Sequence, residues 1–227
     1  MLTFIGSEKL EGDVRSFNFK SDKSSTWTPG QYLHLTINHN EADDRGIERW
    51  FTISSAPYEV VMTISTRIVA DHPSSFKQAL IALRPGDKVE ADEPEGDFVL
   101  GDQSRNYIFV AGGIGITPFH SMIKQATEDK QMPNINLLHA NSTADLAFQN
   151  EFKDIQSAYP NLKIEYVLSP KKIDKKLLQN TIQAVDRPIV YVSGPEPMVE
   201  AFVKELSDLG LNKDDIKADY FPGYEAF

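Results

Sequence analysis

Val110-Ala111-Gly112-Gly113-Ile114-Gly115-Ile116-Thr117-Pro118 is the stretch on which the reading of this chain turns. It follows directly on Tyr107-Ile108-Phe109-Val110, a β-branched and aromatic run with the pattern of a buried strand. Beyond it, Phe119, Met122 and Ile123 recur at spacings of three and four, which is a helical pattern. A strand that turns tightly through three glycines into a helix aims backbone N–H groups and a positive helix end at one point. That arrangement suits a pyrophosphate. A glycine-rich turn with no ligand is compatible with the same residues, because short glycine patterns recur by chance.

Outward from this stretch, the two sides of the chain differ. After residue 102, apolar strands at 107–110, 135–138, 164–168 and 189–192 alternate with helical segments, one of them 198–209. Such alternation predicts a parallel α/β sheet of the Rossmann-like kind. Before residue 102, short strands are predicted at 32–37, 50–53, 60–68, 89–91 and 98–100. Turn signals such as Pro29-Gly30 and Pro85-Gly86-Asp87 separate them. This rhythm predicts an antiparallel six-stranded barrel, interrupted by one helix over 74–83 with Phe76, Leu80 and Leu83 on one face. The polar stretch 101–106 is the expected joint, giving domains of residues 1–102 and 103–227.

With 227 residues, 41% of them hydrophobic and 25% charged, the chain has the makeup of an ordinary globular protein. A net charge of −10 argues against a nucleic-acid surface or an anionic membrane partner. No apolar run reaches the length of a membrane span and residues 1–4 carry no signal-peptide pattern, so a cytoplasmic location is expected. The absence of cysteine excludes disulfides, thiolate metal sites and cysteine-held iron–sulfur clusters on these residues. His34, His39, His72, His120 and His139 show no ligand spacing, so no metal site is predicted. His120, at the start of a helix beside the glycine loop, and His139, at the end of a strand, could lie near a bound nucleotide. A surface or packing role is the expected one for both.

A second site is signalled by Arg49-Trp50-Phe51-Thr52-Ile53-Ser54-Ser55-Ala56-Pro57. In an extended chain Arg49, Phe51 and Ile53 share one face, and Trp50, Thr52 and Ser54 the other. A guanidinium, an aromatic ring and a hydroxyl in so short a span suit a ligand with a phosphate and a flat heterocycle. Taken in order, this segment, Gly96-Asp97-Phe98, the glycine loop, Ser193-Gly194-Pro195 with Met198, and Asp219-Tyr220-Phe221 make the chain resemble the ferredoxin–NADP reductase superfamily. The resemblance runs from Pro29 to Phe221.

That resemblance implies a flavin-binding barrel followed by an NAD(P)-binding domain. It puts Arg49 on the flavin phosphate, Phe51 against the ring where the family has tyrosine, and the Thr52 hydroxyl on flavin N5. The backbone of Thr66, Arg67 and Ile68 would bond the flavin, with either Ser74 or Ser75 on its phosphate. Gly112, Gly113, Gly115, Thr117 and Pro118 would cradle the nucleotide pyrophosphate. Asn141 and Ser142 fall where the family reads the adenosine ribose, and no arginine follows His139 to hold a 2′-phosphate. Lys171 and Lys172 could supply that charge, so NADH and NADPH both remain open. Ser193, Gly194 and Pro195 stand where the family has Cys-Gly-Pro beside the hydride path. Phe221 is the favoured aromatic to cover the flavin, with Tyr224 and Phe227 as alternatives. Met198 is expected to pack its helix.

The implied reaction is hydride transfer between nicotinamide C4 and flavin N5, with Thr52, Ser193 and Phe221 at the reacting atoms and no ionised catalytic group required. FAD is expected, with FMN as the alternative. Electrons would pass to a separate acceptor, either a ferredoxin- or flavodoxin-like protein or a small oxidant. Two other readings stand beside this one: a reductase component of a larger complex, and a degenerate nucleotide-binding interaction module.

Overall fold

The computed structural model describes residues 1–23, 26–69, 73–102 and 104–221. Its N-terminal half is a six-stranded antiparallel sheet of β1 (Leu2–Lys9), β2 (Val14–Ser21), β3 (Tyr32–Thr36), β4 (Glu48–Thr52), β5 (Met62–Arg67) and β6 (Lys88–Ala91). The order is β4-β3-β6-β1-β2-β5. The two ends of that order meet, because Ile53, just past β4, bridges Ile64 of β5 and the Ser54 N–H donates to the Thr63 carbonyl at 2.7 Å. The sheet thereby closes into the predicted barrel, leaving no open edge there. Alternation sends Phe17, Phe19, Leu33, Leu35, Ile53 and Ile64 inward. Helix α1 (Ser75–Ala82) adds Phe76 and Leu80 to the same core, and the Ser74 hydroxyl caps its N-terminus by accepting from the Lys77 N–H.

The second half alternates strand and helix as predicted: β7 (Asn106–Gly112), α2 (Thr117–Glu128), β8 (Ile135–Asn141), α3 (Gln149–Ala158), β9 (Leu162–Leu168), α4 (Lys175–Gln183), β10 (Pro188–Pro195), α5 (Glu196–Asp208) and β11 (Ile216–Phe221). All five strands are parallel, in the order β11-β10-β7-β8-β9. One face packs under α2 and α3 through Phe109, Ile135, Leu137, Phe119 and Phe152. The other packs under α4 and α5 through Ile108, Val110, Val190, Leu178 and Leu206. The chain moves outward from β7 to β9, then returns to β10 on the opposite side of β7. The carboxyl ends of β7 and β10 therefore form a topological switch point, the place where open α/β sheets bind ligands.

Four segments differ from the sequence reading. Strands β1 and β2 were not anticipated; their register slips between Phe4 and Gly6, which breaks the period-two pattern that marks a strand. Residues 98–100 form no strand. Instead Phe98 plugs the second core, with its ring 5.1 Å from Tyr191 and 5.8 Å from Phe119. Strand β11 was also missed: it is a short edge strand carrying Lys217 and Asp219, and it lacks an apolar run.

Candidate functional site

The glycine stretch forms the switch point itself. Gly112 ends β7, a 3₁₀ turn covers Gly113–Ile116, and α2 starts at Thr117 with Pro118 in its first turn, where no N–H partner is needed. Gly113 adopts φ +53°, in the left-handed region that favours glycine. A Cβ on Gly115 would lie 2.3 Å from the Ser193 carbonyl oxygen, so β10 packs directly on the turn. A Cβ on Gly112 would meet Met198 Sδ at 2.4 Å; Met198 therefore covers the loop as well as packing its own helix. The Thr117 hydroxyl donates to the Ile114 carbonyl at 3.1 Å and closes the turn. His139, in register with Ala111, bonds the Gly113 carbonyl through Nε2 at 3.0 Å. Burial pushes its pKa down to about 4, so the ring is neutral and Nε2 is the donor. This loop support was not assigned from sequence.

Ser193, Gly194 and Pro195 end β10, with Ser193 fully buried and in register with Asp219 of β11. Burial raises the Asp219 carboxyl; the Ser193 hydroxyl opposes and nearby Asp97 reinforces that rise, leaving a pKa of about 7. Phe221 pairs with Pro195 and is half-buried. Tyr224 and Phe227 lie outside the described residues. Asn141 holds the turn after β8 by donating to the carbonyls of Thr143 and Asp145, while Ser142 is exposed.

On the barrel side, Thr52 is 5% exposed, and among the described residues its hydroxyl takes no protein partner. Thr66 is buried near the end of β5. The Ile68 N–H donates to the Asp13 carbonyl and Arg67 is ion-paired with Asp13. Arg67 and Asp13 line one wall of a small polar cavity whose other wall holds Gly113, His139 and Asn141. The structure thus brings the Arg67 segment and the glycine loop to one place. Sequence reasoning missed a buried hydroxyl chain behind Thr52: Ser16 to Ser65 at 2.7 Å and Ser65 to Ser54 at 2.8 Å.

Arg49, Phe51, Ser74 and Ser75 form a second group. Arg49 Nη1 donates to the carbonyls of Arg45, Gly46 and Glu48, and its guanidinium lies over the Phe76 ring, which also packs Phe51. Arg49 Nη2 meets Asp43 Oδ1 at 2.9 Å, and the Ser75 N–H at the start of α1 donates to Asp43 Oδ2 at 3.1 Å. A carboxylate therefore sits between a guanidinium and a helix N-terminus, the setting that also suits a phosphate. Burial pushes Asp43 up, but hydrogen bonds from the Arg45 backbone, Ser75 and Arg49 bring it below the usual carboxylate range.

Helix α2 ties the glycine turn to the barrel segment that follows Thr52. His120 bonds the Ser54 carbonyl at 2.7 Å, and Ser121 donates to the Ser55 carbonyl at 2.6 Å, as does Trp27 Nε1 at 3.1 Å. No set of three His, Asp or Glu side chains able to hold a metal ion occurs among the described residues, and no helix there is long and apolar enough to cross a membrane.

Fold and site together define a class: a closed barrel with an anion cradle, fixed to a parallel sheet whose switch point carries a glycine turn. Residues 109–204 match the family described as the oxidoreductase NAD-binding domain. A flavohemoprotein of Candida albicans is 32% identical over 238 residues, covering 94% of this chain and 57% of that protein. Flavohemoprotein B of Dictyostelium discoideum is 27% identical over 241 residues, covering 92% and 56%. The chain thus spans little more than half the length of these curated relatives. Among solved structures, an Amycolatopsis cytochrome P450 reductase superposes with a TM-score of 0.81 at 22% identity, over 97% of this chain and 68% of that one. A Plasmodium falciparum ferredoxin–NADP⁺ reductase gives 0.80 at 18%, over 97% and 95%. Residues 109–204 thus carry the features of an oxidoreductase NAD-binding domain, and the chain as a whole has the two-part fold of the ferredoxin–NADP⁺ reductase and cytochrome P450 reductase structures.

Proposed function

We propose that this chain is a flavin-dependent NAD(P)H oxidoreductase that passes electrons to a separate acceptor. One observation carries the reading: the helix that follows the glycine turn is hydrogen-bonded directly to the segment that follows Thr52. The candidate nucleotide loop and the candidate flavin strand are therefore held against each other. The residues fit a flavin, since Thr52, itself a buried residue, offers a hydroxyl with no protein partner among the described residues, and Asp43 already marks an anion position between Arg49 and α1. When bound, the flavin supplies hydride acceptance at N5 and onward electron transfer.

In this reading Thr52 orients N5, Phe51 and Phe221 bracket the ring, and Arg49 with Ser74 or Ser75 neutralises the phosphate. The backbone of Thr66, Arg67 and Ile68 holds the ring edge. Gly112, Gly113, Gly115, Thr117 and Pro118 receive the pyrophosphate of NADH or NADPH, and Asn141 and Ser142 face its adenosine end. Ser193, Gly194 and Pro195 bound the nicotinamide, with Asp219 holding a proton beside them below about pH 7. The flavin is FAD, and the barrel through residue 102 and the sheet from residue 103 are its two working units.

The test is an absorption spectrum of the purified protein before and after anaerobic NADH or NADPH. A bound flavin bleached by one of them supports the reading, and a protein that takes up neither FAD nor FMN sinks it. A second expectation concerns Asp43, whose carboxylate competes with a phosphate for Arg49 and α1. Asp43→Asn should tighten flavin binding by about 3- to 10-fold, as an unopposed charge-assisted bond allows. Quenching of flavin fluorescence reads this directly. Unchanged or weaker binding would place the phosphate elsewhere.

A further inference from the structure

We infer that His120 is a positioning residue held as an imidazolium, a charged clamp that fixes α2 to the barrel segment after Thr52 and so sets the separation of the two cofactor sites. The inference rests on the reading above and deepens it.

His120 lies in the first turn of α2 and is 5% exposed. Its Nδ1 is 2.7 Å from the Ser54 carbonyl oxygen and its Nε2 is 2.7 Å from Glu151 Oε2. A carbonyl and a carboxylate both accept, so both ring nitrogens must donate and the ring carries two protons. The ring also lies flat on Phe148, at 3.7 Å between centroids, and meets Phe152 edge-on, surroundings that favour a cation.

The charges around the ring support the same state. Glu151 of α3 also pairs with Lys124 of α2 at 3.2 Å, and Lys124 pairs with Glu59 of the 3₁₀ turn Pro57–Glu59 at 2.7 Å. Tyr58 lies under Lys124, and Glu128 acts on Tyr58 from further along α2. Two carboxylates against Lys124 alone leave one negative charge in a half-buried cluster, and an imidazolium balances it. Burial pushes Glu151 up, yet the hydrogen bond from His120 and the charges of His120 and Lys124 bring it to about 2, so this carboxyl is not the proton holder.

The clamp grips where the barrel closes. The Ser54 N–H is bonded to Thr63 and its hydroxyl to Ser65, and Ile53 bridges Ile64, so a pull on the Ser54 carbonyl is felt at Thr52. Hydride transfer needs reacting atoms about 3–3.5 Å apart, and a displacement of about 1 Å can cost on the order of a hundredfold in rate. A ring short of either proton would set a lone pair against one of the two acceptors and loosen the clamp.

Two measurements test this. The first is the ¹⁵N spectrum of the histidine rings in the whole protein, with the His120 signals assigned by their loss in His120→Gln. Both His120 nitrogens should show protonated shifts near neutral pH; a lone-pair shift on either overturns the charge assignment, whether or not flavin binds. The second is stopped-flow flavin reduction in the loaded protein. His120→Gln should slow it by about tenfold or more with little change in nucleotide affinity. Glu151→Gln keeps shape and an acceptor but removes the anion, and should slow reduction several-fold, again with little change in nucleotide affinity. Reduction at the parent rate in both variants reduces His120 to a packing group and overturns the proposal. A protein that takes up no flavin removes the positioning role together with the functional reading, while the ¹⁵N result still decides the charge.

Discussion

Gly115→Ala is expected to destabilise the protein by about 3 kcal/mol, at the upper end of what overpacking costs. An added methyl would lie 2.3 Å from the Ser193 oxygen, 2.6 Å from its carbonyl carbon and 2.8 Å from Gly194 Cα. All three atoms are backbone of β10, a strand with parallel neighbours on both sides, so none can swing away. For a chain of this size the melting temperature should fall by roughly 6–12 °C. Reduction by NAD(P)H should fail before the fold does, because relief requires the glycine turn to lift off β10. Gly112→Ala is the control. Its obstacles at 2.4 and 2.7 Å are the Sδ and Cε of Met198, the end of a flexible side chain, and a cost of about 1 kcal/mol is expected. Equal losses in the two variants would show that packing of the turn against β10 is not what sets the cost.

Asp219→Asn should stabilise the protein at alkaline pH and leave it unchanged in acid. The folded carboxyl keeps its proton up to about pH 7, against an ordinary value of 3.8. Between those values the native state binds a proton that the unfolded chain has lost, so stability falls as pH rises across the window. The full effect is up to about 4 kcal/mol, at about 1.4 kcal/mol per pH unit. Asparagine has no charge to bury, so the gain should appear above pH 7 and vanish below about pH 4. Urea denaturation at the two extremes measures it. A difference between variant and parent that ignores pH would mean that Asp219 is not held in its neutral form. Ser193 and Asp97, the neighbours that tune this acid, come from distant parts of the chain.

This distance explains what could be read from the sequence. The glycine turn was legible because strand, glycines and helix are contiguous, and each has a local signature. The alternation beyond it gave the parallel sheet for the same reason. The barrel was legible as a class, but β1 and β2 were hidden by the register slip at Gly6, and β11 by its charges. Phe98 reads as strand but serves as a plug, since an isolated apolar triplet does not reveal what it packs against. His120 could be flagged only as close to the loop; its partners, Ser54 and Glu151, lie 66 and 31 residues away. Asp43 carried no signal, because a carboxylate in a polar loop becomes notable only when Arg49 and α1 converge on it.

The apolar clusters have a further consequence, for cooperativity. Val14 of the barrel and Phe98 of the connecting segment belong to the same buried cluster as Phe109, Phe119 and Tyr191, and the Tyr191 hydroxyl donates to the Val99 carbonyl at 2.7 Å. The break in sequence character near residue 102 is therefore not a break in packing. Neither half can shed the other without opening a shared interior, so calorimetry should record one melting transition, with barrel and sheet lost together.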